Sequence, residues 1–538
     1  MRKVKNLCPL LLLTAFFLAV FALTEPGVYD DSDQYIKMHI HREPLYPLFL
    51  AALRRLFGDG WMTAMGIIQG VLAAVSIRRF AEWTAAHFSL HAWEKCAVYL
   101  LGLAPYAATG FFSSLHIFIP GSVMSEALCL PLFTFFMTEC WELAIRGEGR
   151  SFQRAACLSL FLAFLLSLTR SQMLWTFALW AGLVIWNVRR RMRKAPRAGN
   201  IALADRGRTG ADTESPWKLA HCETLAGSAG SAETGRNLRL TLRLFLRSAA
   251  VIGIVALVLA GRLYAVKAYN LVFNGRFINN TYGTVNTLAN ILYASDREDG
   301  ERISDPEARA FFYEMYDLAD QNRANYKYAG ESIREQAEYF EQWHDTIKYE
   351  MVENVFYETY NETVTTDYIE QNLLADETAG RIIAGVFPAC LGQWLWDYLL
   401  LAGYGLIRSI AVVQGAVNVA AALLYVSAAV LVIRLSRRAG GGKCGAAAFS
   451  SAEAGKRDAA AFSSAKAERT STATAAACLA VAVAAILMNT ATVSVTIICL
   501  SRYMVYGFAP FYTAYCLALR EVGKRPRLRP GNAAEAVR

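Results

Sequence analysis

Acidic and basic side chains that could transfer a proton and bind an anion are concentrated near the beginning of the chain. Asp30, Asp31 and Asp33 fall within four positions. His41 and Arg42 follow shortly afterwards. A carboxylate can accept a proton from an attacking hydroxyl group, and a guanidinium group can donate two parallel hydrogen bonds to a phosphate. The alternative is a solvated acidic loop without a chemical role, and the residues alone leave both interpretations open.

The same stretch contains residue types that ligate metals. His39 and His41, with the aspartates before them, could hold a divalent ion. However, histidines in a flexible loop without a defined spacing rarely form a metal site. We therefore predict no metal and no other cofactor, with a divalent ion as the one alternative that the sequence leaves open.

A second set of candidate residues lies at the ends of long apolar runs. Glu126 begins one run, Arg170 ends another, and Arg502 with Tyr503 begins the last. A charged group beside hydrocarbon is costly unless it is paired, solvated or used in function. Glu126 therefore either positions a substrate or forms a structural ion pair. Each arginine either binds a phosphate or extends to the lipid headgroups.

Transmembrane helices must position these residues. Hydrophobic residues make up 55% of the 538 residues and charged residues 18%, whereas about 25% of a soluble domain is charged. Apolar runs of about 18 residues can cross the hydrocarbon core, where backbone groups must be paired within helices. We predict an all-α, polytopic integral membrane protein, a bundle of about ten transmembrane helices. The predicted spans are 7–24, 61–77, 94–112, 118–140, 154–169, 171–188, 244–264, 410–433, 474–497 and 503–520.

The distribution of charge orients the predicted bundle, because lysine and arginine are enriched in cytoplasmic loops. Residues 189–247 contain 13 Lys/Arg against 5 Asp/Glu, and residues 434–469 contain 8 against 3. Residues 296–381 have the opposite bias, with 22 Asp/Glu against 8 Lys/Arg. Both termini are therefore predicted to be cytoplasmic, and the loop after the first span faces outward. This topology accounts for the net charge of +9, so no nucleic-acid partner is expected.

The predicted topology divides the chain into membrane modules, an external segment and cytoplasmic loops. The parts are an N-terminal membrane module (1–266) with a first external loop (25–60) and a disordered cytoplasmic loop (189–243), an external acidic and mostly helical segment (267–405), a C-terminal membrane module (406–520) with a low-complexity cytoplasmic loop (434–472), and a basic cytoplasmic tail (521–538). For residues 267–382, the alternative to a packed helical cap is an acidic solvated loop with local helices.

Two apolar stretches are predicted to lie outside the spans. Residues 45–57 are short for a span, and we expect an interfacial helix lying flat on the membrane. Counting residues 383–404 as a span would move the arginines after position 433 to the outer face. We therefore predict that this stretch lies at the interface or re-enters the membrane, with Trp394 and Trp396 among the headgroups.

The first external loop resembles that of the C-type (GT-C) membrane glycosyltransferases, which include protein O-mannosyltransferases and bacterial aminoarabinose transferases. Its pattern is Asp-Ser-x-x-Tyr at 31–35, followed by Arg-x-Pro-x-Tyr-Pro at 42–47. The acid at 126, the Thr-Arg pair at 169–170 and the Arg-Tyr pair at 502–503 are similar to further landmarks of that superfamily. Many relatives have Asp-Glu where this chain has Asp31-Ser32, and the segment 267–382 resembles no known acceptor-binding module.

The resemblance implies a glycosyltransferase that moves a sugar from a polyprenyl-phosphate donor to an acceptor hydroxyl group on the non-cytoplasmic face. It implies Asp31 as the catalytic base and Glu126 as a second catalytic acid. The residues implied to bind the lipid phosphate are Arg42, Arg170, Arg502 and Tyr503, and further candidates are Asp33, Tyr35 and His41. The expected partners are the lipid-linked donor, a lipid, glycan or protein acceptor, and membrane lipid, in a bacterial plasma membrane.

Three other functions are compatible with the same features. A polysaccharide polymerase or ligase would also use lipid-linked sugars on that face of the membrane. A transporter or flippase is less favoured, because the acids and arginines lie at span ends and the two halves show no repeat. A non-catalytic scaffold would tolerate substitution of the loop acids.

Overall fold

The computed structural model describes residues 2–112, 117–208, 222–411, 417–440 and 456–524. Within these residues the chain is helical, and one isolated parallel bridge, between Gly27 and Ser122, is the only β pairing. The predicted all-α architecture is therefore confirmed for the described residues. The basic tail beyond Lys524 lies outside them.

Six stretches of the described residues are long and apolar enough to cross a membrane, which supports a membrane protein with several spans. They are Leu45–Phe88, Glu126–Ile145, Gly149–Thr169, Phe245–Asn274, Val419–Ala439 and Thr470–Thr496. A shorter apolar helix covers Leu7–Leu23. The remaining predicted spans, near 94–112, 171–188 and 503–520, are largely helical but are not among the six. The total of about ten spans stays a prediction.

The N-terminal part begins with one apolar helix and a compact first loop. Its helices are α1 (Arg2–Leu23), α2 (Asp30–Ile36), α3 (Leu45–Phe57), α4 (Trp61–Phe88) and α5 (Ala92–Ala107). The bounds of α3 match the predicted interfacial helix. Tyr46 and Leu50 of α3 are buried while Leu56 is exposed, so the helix has one face on the protein and one face free. It ends at Gly58, whose φ of +52° is a backbone conformation that glycine adopts without steric cost.

Four further helices follow: α6 (Glu126–Ile145), α7 (Gly149–Thr169), α8 (Trp175–Arg208) and α9 (Cys222–Asn274). The span predicted at 118–140 begins eight residues later than expected, because Ile119–Gly121 forms a 3-10 turn that contains Pro120. Proline has no backbone N–H for a helix interior and is common in turns. The late start places Glu126 in the first turn of α6.

Both predicted cytoplasmic loops are more helical than the sequence indicated. Helix α8 continues to Arg208 and α9 begins at Cys222, so the prediction of disorder across 189–243 is wrong at both ends of the loop. Arginine, lysine and alanine have high helix propensity, which favours continuation of the spans into these basic stretches. Residues 209–221 lie outside the described residues.

Residues 267–382, hereafter the acidic segment, form a packed helical unit. Its helices are α10 (Gly283–Ala294), α11 (Pro306–Gln321), α12 (Ile333–Thr346), α13 (Asn354–Thr363) and the first part of α14 (Tyr368–Ile410), with a π-helix at Ile347–Glu353 between α12 and α13. Their apolar faces meet in one core, in which Phe312, Phe340 and Phe356 are buried. The packed helical interpretation, and not the solvated loop, therefore describes this segment.

Helix α14 corrects the prediction for residues 383–404. The stretch lies in the middle of one continuous helix of 43 residues and contains no chain reversal, so it does not re-enter. Val386 and Cys390 pack into the core of the acidic segment, whereas Ile410 at the far end packs among the membrane helices. A single rigid helix thus connects the two cores.

The C-terminal part consists of α15 (Val417–Gly440), α16 (Lys456–Thr496), the short α17 (Ser501–Met504) and α18 (Phe508–Gly523). The loop predicted at 434–472 is helical up to Gly440 and again from Lys456, and residues 441–455 are outside the described residues. Buried residues of α16 and α18 share a core with α4, α6 and α7. The last helices therefore pack against the first ones, although they are far apart in sequence.

The junction between α17 and α18 offers a test of this packing. A Cβ atom added at Gly507 would lie 2.3 Å from Cγ1 of the buried Ile486, whereas one added at Gly253 on α9 would meet nothing within 4 Å. We expect Gly507→Ala to lower the free energy of unfolding by about 1–3 kcal/mol through overpacking. Gly253→Ala should leave it unchanged or slightly higher. Unfolding in mixed micelles measures both, and equal effects would contradict the close approach of the helices.

A charged site between the first loop and the last helices

The first loop (residues 25–60) is fixed against the segment that precedes α6. The amide of Gly27 donates to the carbonyl of Gly121 at 3.0 Å, and the amide of Val123 donates to the carbonyl of Gly27 at 2.8 Å. The hydroxyl of Ser32 on α2 donates to the carbonyl of Val123 at 2.8 Å. These bonds hold Asp31, the neighbour of Ser32, close to the first turn of α6.

Asp31 forms an ion pair with the arginine of the same loop. Arg42 Nη2 contacts Asp31 Oδ1, and Arg42 Nε donates to Oε1 of Gln34 at 2.8 Å. The Arg42 guanidinium also lies 4.7 Å from the ring centroid of Tyr35. The predicted loop residues Asp31, Tyr35 and Arg42 therefore lie together, held by hydrogen bonds within eleven residues of sequence.

Glu126 forms the second ion pair of the site. Arg170 Nη1, at the end of α7, lies 2.7 Å from Glu126 Oε1, and it also donates to Ser125 Oγ at 3.1 Å. Tyr35 Oη hydrogen-bonds with the same Ser125 hydroxyl at 3.0 Å. Ser125 thus links the two ion pairs, because Tyr35 is also in contact with Arg42.

Arg502 on α17 lies between the two carboxylates. Its Nη2 is 3.8 Å from Asp31 Oδ2 and its Nε is 3.7 Å from Glu126 Oε1. Its Nη2 also donates to Oη of Tyr503 at 2.8 Å. The Tyr503 ring is flanked by two guanidinium groups, with centroid distances of 4.6 Å to Arg170 and 4.9 Å to Arg502. Residues from the two ends of the chain therefore meet at one point.

These contacts define the charged site, which consists of Asp31, Tyr35, Arg42, Glu126, Arg170, Arg502 and Tyr503. Burial disfavours the ionised form of Asp31, but the positive charges of Arg42 and Arg502 outweigh it and hold the pKa of this carboxyl below its ordinary value. Asp31 is therefore a carboxylate at neutral pH and can accept a proton.

Positive charge exceeds negative charge in the charged site. Three arginines face two carboxylates, which leaves one positive charge without a partner. The buried Nε of Arg502 has no hydrogen-bond acceptor among the residues that the structure describes. A buried donor without an acceptor is uncommon in folded proteins and calls for a ligand or water. An anion would satisfy both the surplus charge and the free N–H group.

Two of the predicted candidates lie outside the charged site. Asp33 pairs with Lys37 at 2.6 Å, and both side chains are more than half exposed. His41 points to the acidic segment, where its ring nitrogens hydrogen-bond with Thr281 Oγ1 at 3.1 Å and Tyr368 Oη at 2.8 Å. In the described part of the chain, no group of three or more His, Cys, Asp or Glu residues is arranged to hold a metal.

Sequence reasoning missed two polar residues at this place. Ser125 connects the ion pairs, but a serine before an acid gives no specific signal. Lys348, from the π-helix of the acidic segment, contributes its charge to Asp31. The available signal was that it is one of only 8 basic residues among 22 acidic ones in 296–381. Its side chain is also buried, which is unusual for a lysine.

The structure also contains an apolar groove, two of whose lining residues are close in sequence to the charged site. Its volume is about 290 Å³, and its walls come from α3, α7 and α9. The lining residues are Pro44, Leu45, Leu48, Leu168, Ala265, Ala268, Tyr269, Val272 and Phe273. Pro44 is two residues from Arg42, and Leu168 is two residues from Arg170. Two lining residues are therefore close in sequence to arginines of the charged site.

Protein-family models, curated protein sequences and solved structures gave no match to the chain. The protein is therefore described by its fold and by its charged site. Over the residues that the structure describes, it is a helical membrane protein with a buried, net positive site where the first loop meets the last helices.

The Glu126–Arg170 pair provides a test of the charged site. Glu126→Ala leaves the buried Arg170 without its carboxylate, and breaking such a pair costs about 3–5 kcal/mol of stability. Asp33→Ala, the matched control, removes only an exposed pair and should cost less than about 1 kcal/mol. Unfolding of both variants in mixed micelles provides the measurement. Equal stability of the two variants would show that Glu126 is not buried beside Arg170.

Proposed function

We propose that this protein is a membrane glycosyltransferase that moves a sugar from a polyprenyl-phosphate donor to an acceptor hydroxyl group on the non-cytoplasmic face. The observation that carries the proposal is the charged site itself, in which a carboxylate lies within 4 Å of two arginines and one guanidinium N–H has no acceptor. The chemistry requires a proton acceptor and a phosphate-binding group at the same place, and this site offers both.

The reaction assigns one step to each group. Asp31 accepts the proton of the acceptor hydroxyl while the hydroxyl oxygen bonds to the anomeric carbon of the sugar. The bond between that carbon and the phosphate oxygen breaks, and its electron pair leaves with the lipid phosphate. Arg502 and Arg42 stabilise the charge that develops on the departing phosphate, because guanidinium groups hold phosphate oxygens with two N–H donors.

The remaining residues of the site orient these groups. Tyr503 accepts a hydrogen bond from Arg502, and Glu126, which is paired with Arg170, also attracts the Arg502 guanidinium group. Glu126 is buried against Arg170, so its main role in this mechanism is to keep the arginines in place for the phosphate. The acceptor would approach Asp31 from its exposed side, since about a quarter of that side chain is accessible.

The apolar groove supports a lipid carrier over a water-soluble donor. A polyprenyl chain is a long hydrocarbon, and its burial is favourable by about 25 cal/mol per Å² of apolar surface. Pro44 and Leu168 line the groove and lie two residues from Arg42 and Arg170 in sequence, and the proposal places the phosphate of a bound carrier at those arginines. A transported anion would need a route through the bundle, and no observation on the described residues favours one.

Substitution of the proposed base tests the mechanism. We expect Asp31→Asn to lower the transfer rate at least about 100-fold, because the amide keeps the shape but cannot accept the proton. The control is Asp33→Asn on the same helix, α2, which should retain the transfer rate of the unmodified protein. The measurement is release of free polyprenyl phosphate from a panel of polyprenyl-phosphate sugars, with the full-length protein in lipid vesicles.

Two outcomes would contradict the proposal. One is an Asp31→Asn variant that releases polyprenyl phosphate at the rate of the unmodified protein. The other is a folded, unmodified protein that neither binds nor cleaves any donor of the panel. Loss of activity in Asp33→Asn alone would move the base to Asp33 and refute the assignment of Asp31.

A further inference from the structure

The acidic segment places a buried lysine over the charged site. Lys348 is the second residue of the π-helix Ile347–Glu353, and only 8% of its surface is exposed. A π-helix is a rare variant that is found frequently at functional sites, because it redirects side chains relative to an α-helix. Lysine is almost never buried without a partner, so the surroundings of Lys348 need an explanation.

Two tyrosines surround the ammonium group of Lys348. Its Nζ lies 4.7 Å from the ring centroid of Tyr282 and 4.1 Å from that of Tyr349, and it donates to Oη of Tyr349 at 3.0 Å. Among the residues that the structure describes, no carboxylate lies within 4 Å of Nζ. Aromatic rings and a phenol stabilise the cation only in part, and the buried charge is left without an anion.

A continuous set of contacts connects Lys348 to the charged site. The Tyr282 ring, which covers Lys348, lies 4.5 Å from the ring of His41. His41 precedes Arg42, and Arg42 holds Asp31. The charges of Asp31, Arg42 and Arg502 all act on Lys348. The lysine therefore lies within electrostatic range of the charged site.

We propose that Lys348 is a phosphate-binding residue that the acidic segment supplies to the charged site. This inference rests on the proposed function and deepens it, since it names a fourth cation for the lipid phosphate. The cations around that space are then Arg42, Arg170, Arg502 and Lys348, opposed by Asp31 and Glu126. The excess is two positive charges, or one when Asp345, which also acts on Lys348, is counted, and a phosphate with one or two negative charges compensates it.

The environment of Lys348 makes this contact sensitive to pH. Burial lowers the pKa of Lys348 to about 8, although the carboxylates of Asp31 and Asp345 act in the opposite direction. Below that pH the ammonium group is charged and attracts phosphate. As the pH rises through about 8, the charge is lost and affinity for an anion should decrease.

Most other ionisable groups near Lys348 do not change their charge around pH 8. Asp345 on α12, Asp31 on α2 and the two arginines keep their charge throughout this range. The pKa of His41 is about 3, because burial and the neighbouring Arg42 disfavour its protonation, and burial raises the pKa of Tyr349 to about 12. Helices α10, α11 and α13 also pack on the π-helix and place no charged side chain in contact with Nζ.

Glu353, at the end of the same π-helix, is the one competing group. Burial raises its pKa to about 8, and it accepts a hydrogen bond from Oη of Tyr282. Ionisation of Glu353 would also weaken the binding of an anion as the pH rises. The experiment must therefore distinguish the ionisation of Glu353 from the deprotonation of Lys348.

The test measures the affinity of the full-length protein for farnesyl phosphate. The protein is held in phosphatidylcholine nanodiscs and titrated at pH 7.5 and pH 9.5, where the phosphate ionisation is complete because its second pKa is about 6. We expect the affinity of the unmodified protein to be about tenfold weaker at pH 9.5, the effect of one charged hydrogen bond. Glu353→Gln should show the same decrease.

Variants of Lys348 should remove the pH dependence in two different ways. Lys348→Met should bind about tenfold more weakly at pH 7.5 and show no further decrease at pH 9.5. Lys348→Arg should bind at both pH values as the unmodified protein does at pH 7.5, because the guanidinium group stays charged. A role of Lys348 in packing alone would not produce this difference between methionine and arginine.

Several results would overturn the inference. They are an unmodified protein whose affinity is the same at both pH values, a Lys348→Met variant that binds normally, and a Glu353→Gln variant that alone loses the pH dependence. If Lys348→Met does not fold, the comparison of Lys348→Arg with the unmodified protein decides.

Arg502→Gln should lose binding at both pH values. If it does so while substitution of Lys348 has no effect, only this inference fails. If the unmodified protein binds neither farnesyl nor decaprenyl phosphate, the proposed function fails as well.

Discussion

The structure depends on the position of one guanidinium group between two carboxylates. Arg502 is within 4 Å of both Asp31 and Glu126, and each acid has a second arginine of its own. Removing such charges from water is expensive, and their mutual attraction compensates only when the geometry is good and the remaining donors are bonded. The first loop, the start of α6, the end of α7 and α17 must therefore all keep their relative positions. An error in any one of them would leave a buried charge without its partner.

Another ion pair, outside the charged site, connects the acidic segment to Arg502. Arg408 near the end of α14 contacts both carboxylate oxygens of Glu341 on α12, at 2.6 Å and 2.7 Å, and donates to the carbonyl of Cys499 at 2.9 Å. Cys499 lies three residues before Arg502. The bidentate pair thus connects the acidic segment to the backbone just before Arg502. A movement of α12 would therefore also change the position of Arg502 in the charged site.

Local patterns were sufficient for the helices and for part of the site. The apolar runs predicted α3 and α7 within a few residues, and residues at span ends, such as Glu126 and Arg170, were placed by topology. The structure brings these residues together, whereas their catalytic roles stay predictions. Lys348 was missed, because its scarcity as a basic residue in the acidic segment was the only signal, and its burial near Asp31 is a tertiary effect. For residues 383–404 only the re-entrant alternative is excluded, because their composition does not show that α14 continues beyond them, and the interfacial alternative stays a prediction.

The order of the residues along the chain has a consequence for biosynthesis. Asp31 with Arg42 and Glu126 with Arg170 form two neutral pairs that are complete once the first seven helices have left the ribosome. Arg502 is added only 471 residues after Asp31, which corresponds to roughly 25–95 s at ordinary translation rates. A nascent chain can therefore enter the bilayer with its early charges already neutralised. The positive charges of Lys348 and Arg502 are added only later, so a chain that ends before the acidic segment carries neutral pairs and no net positive site.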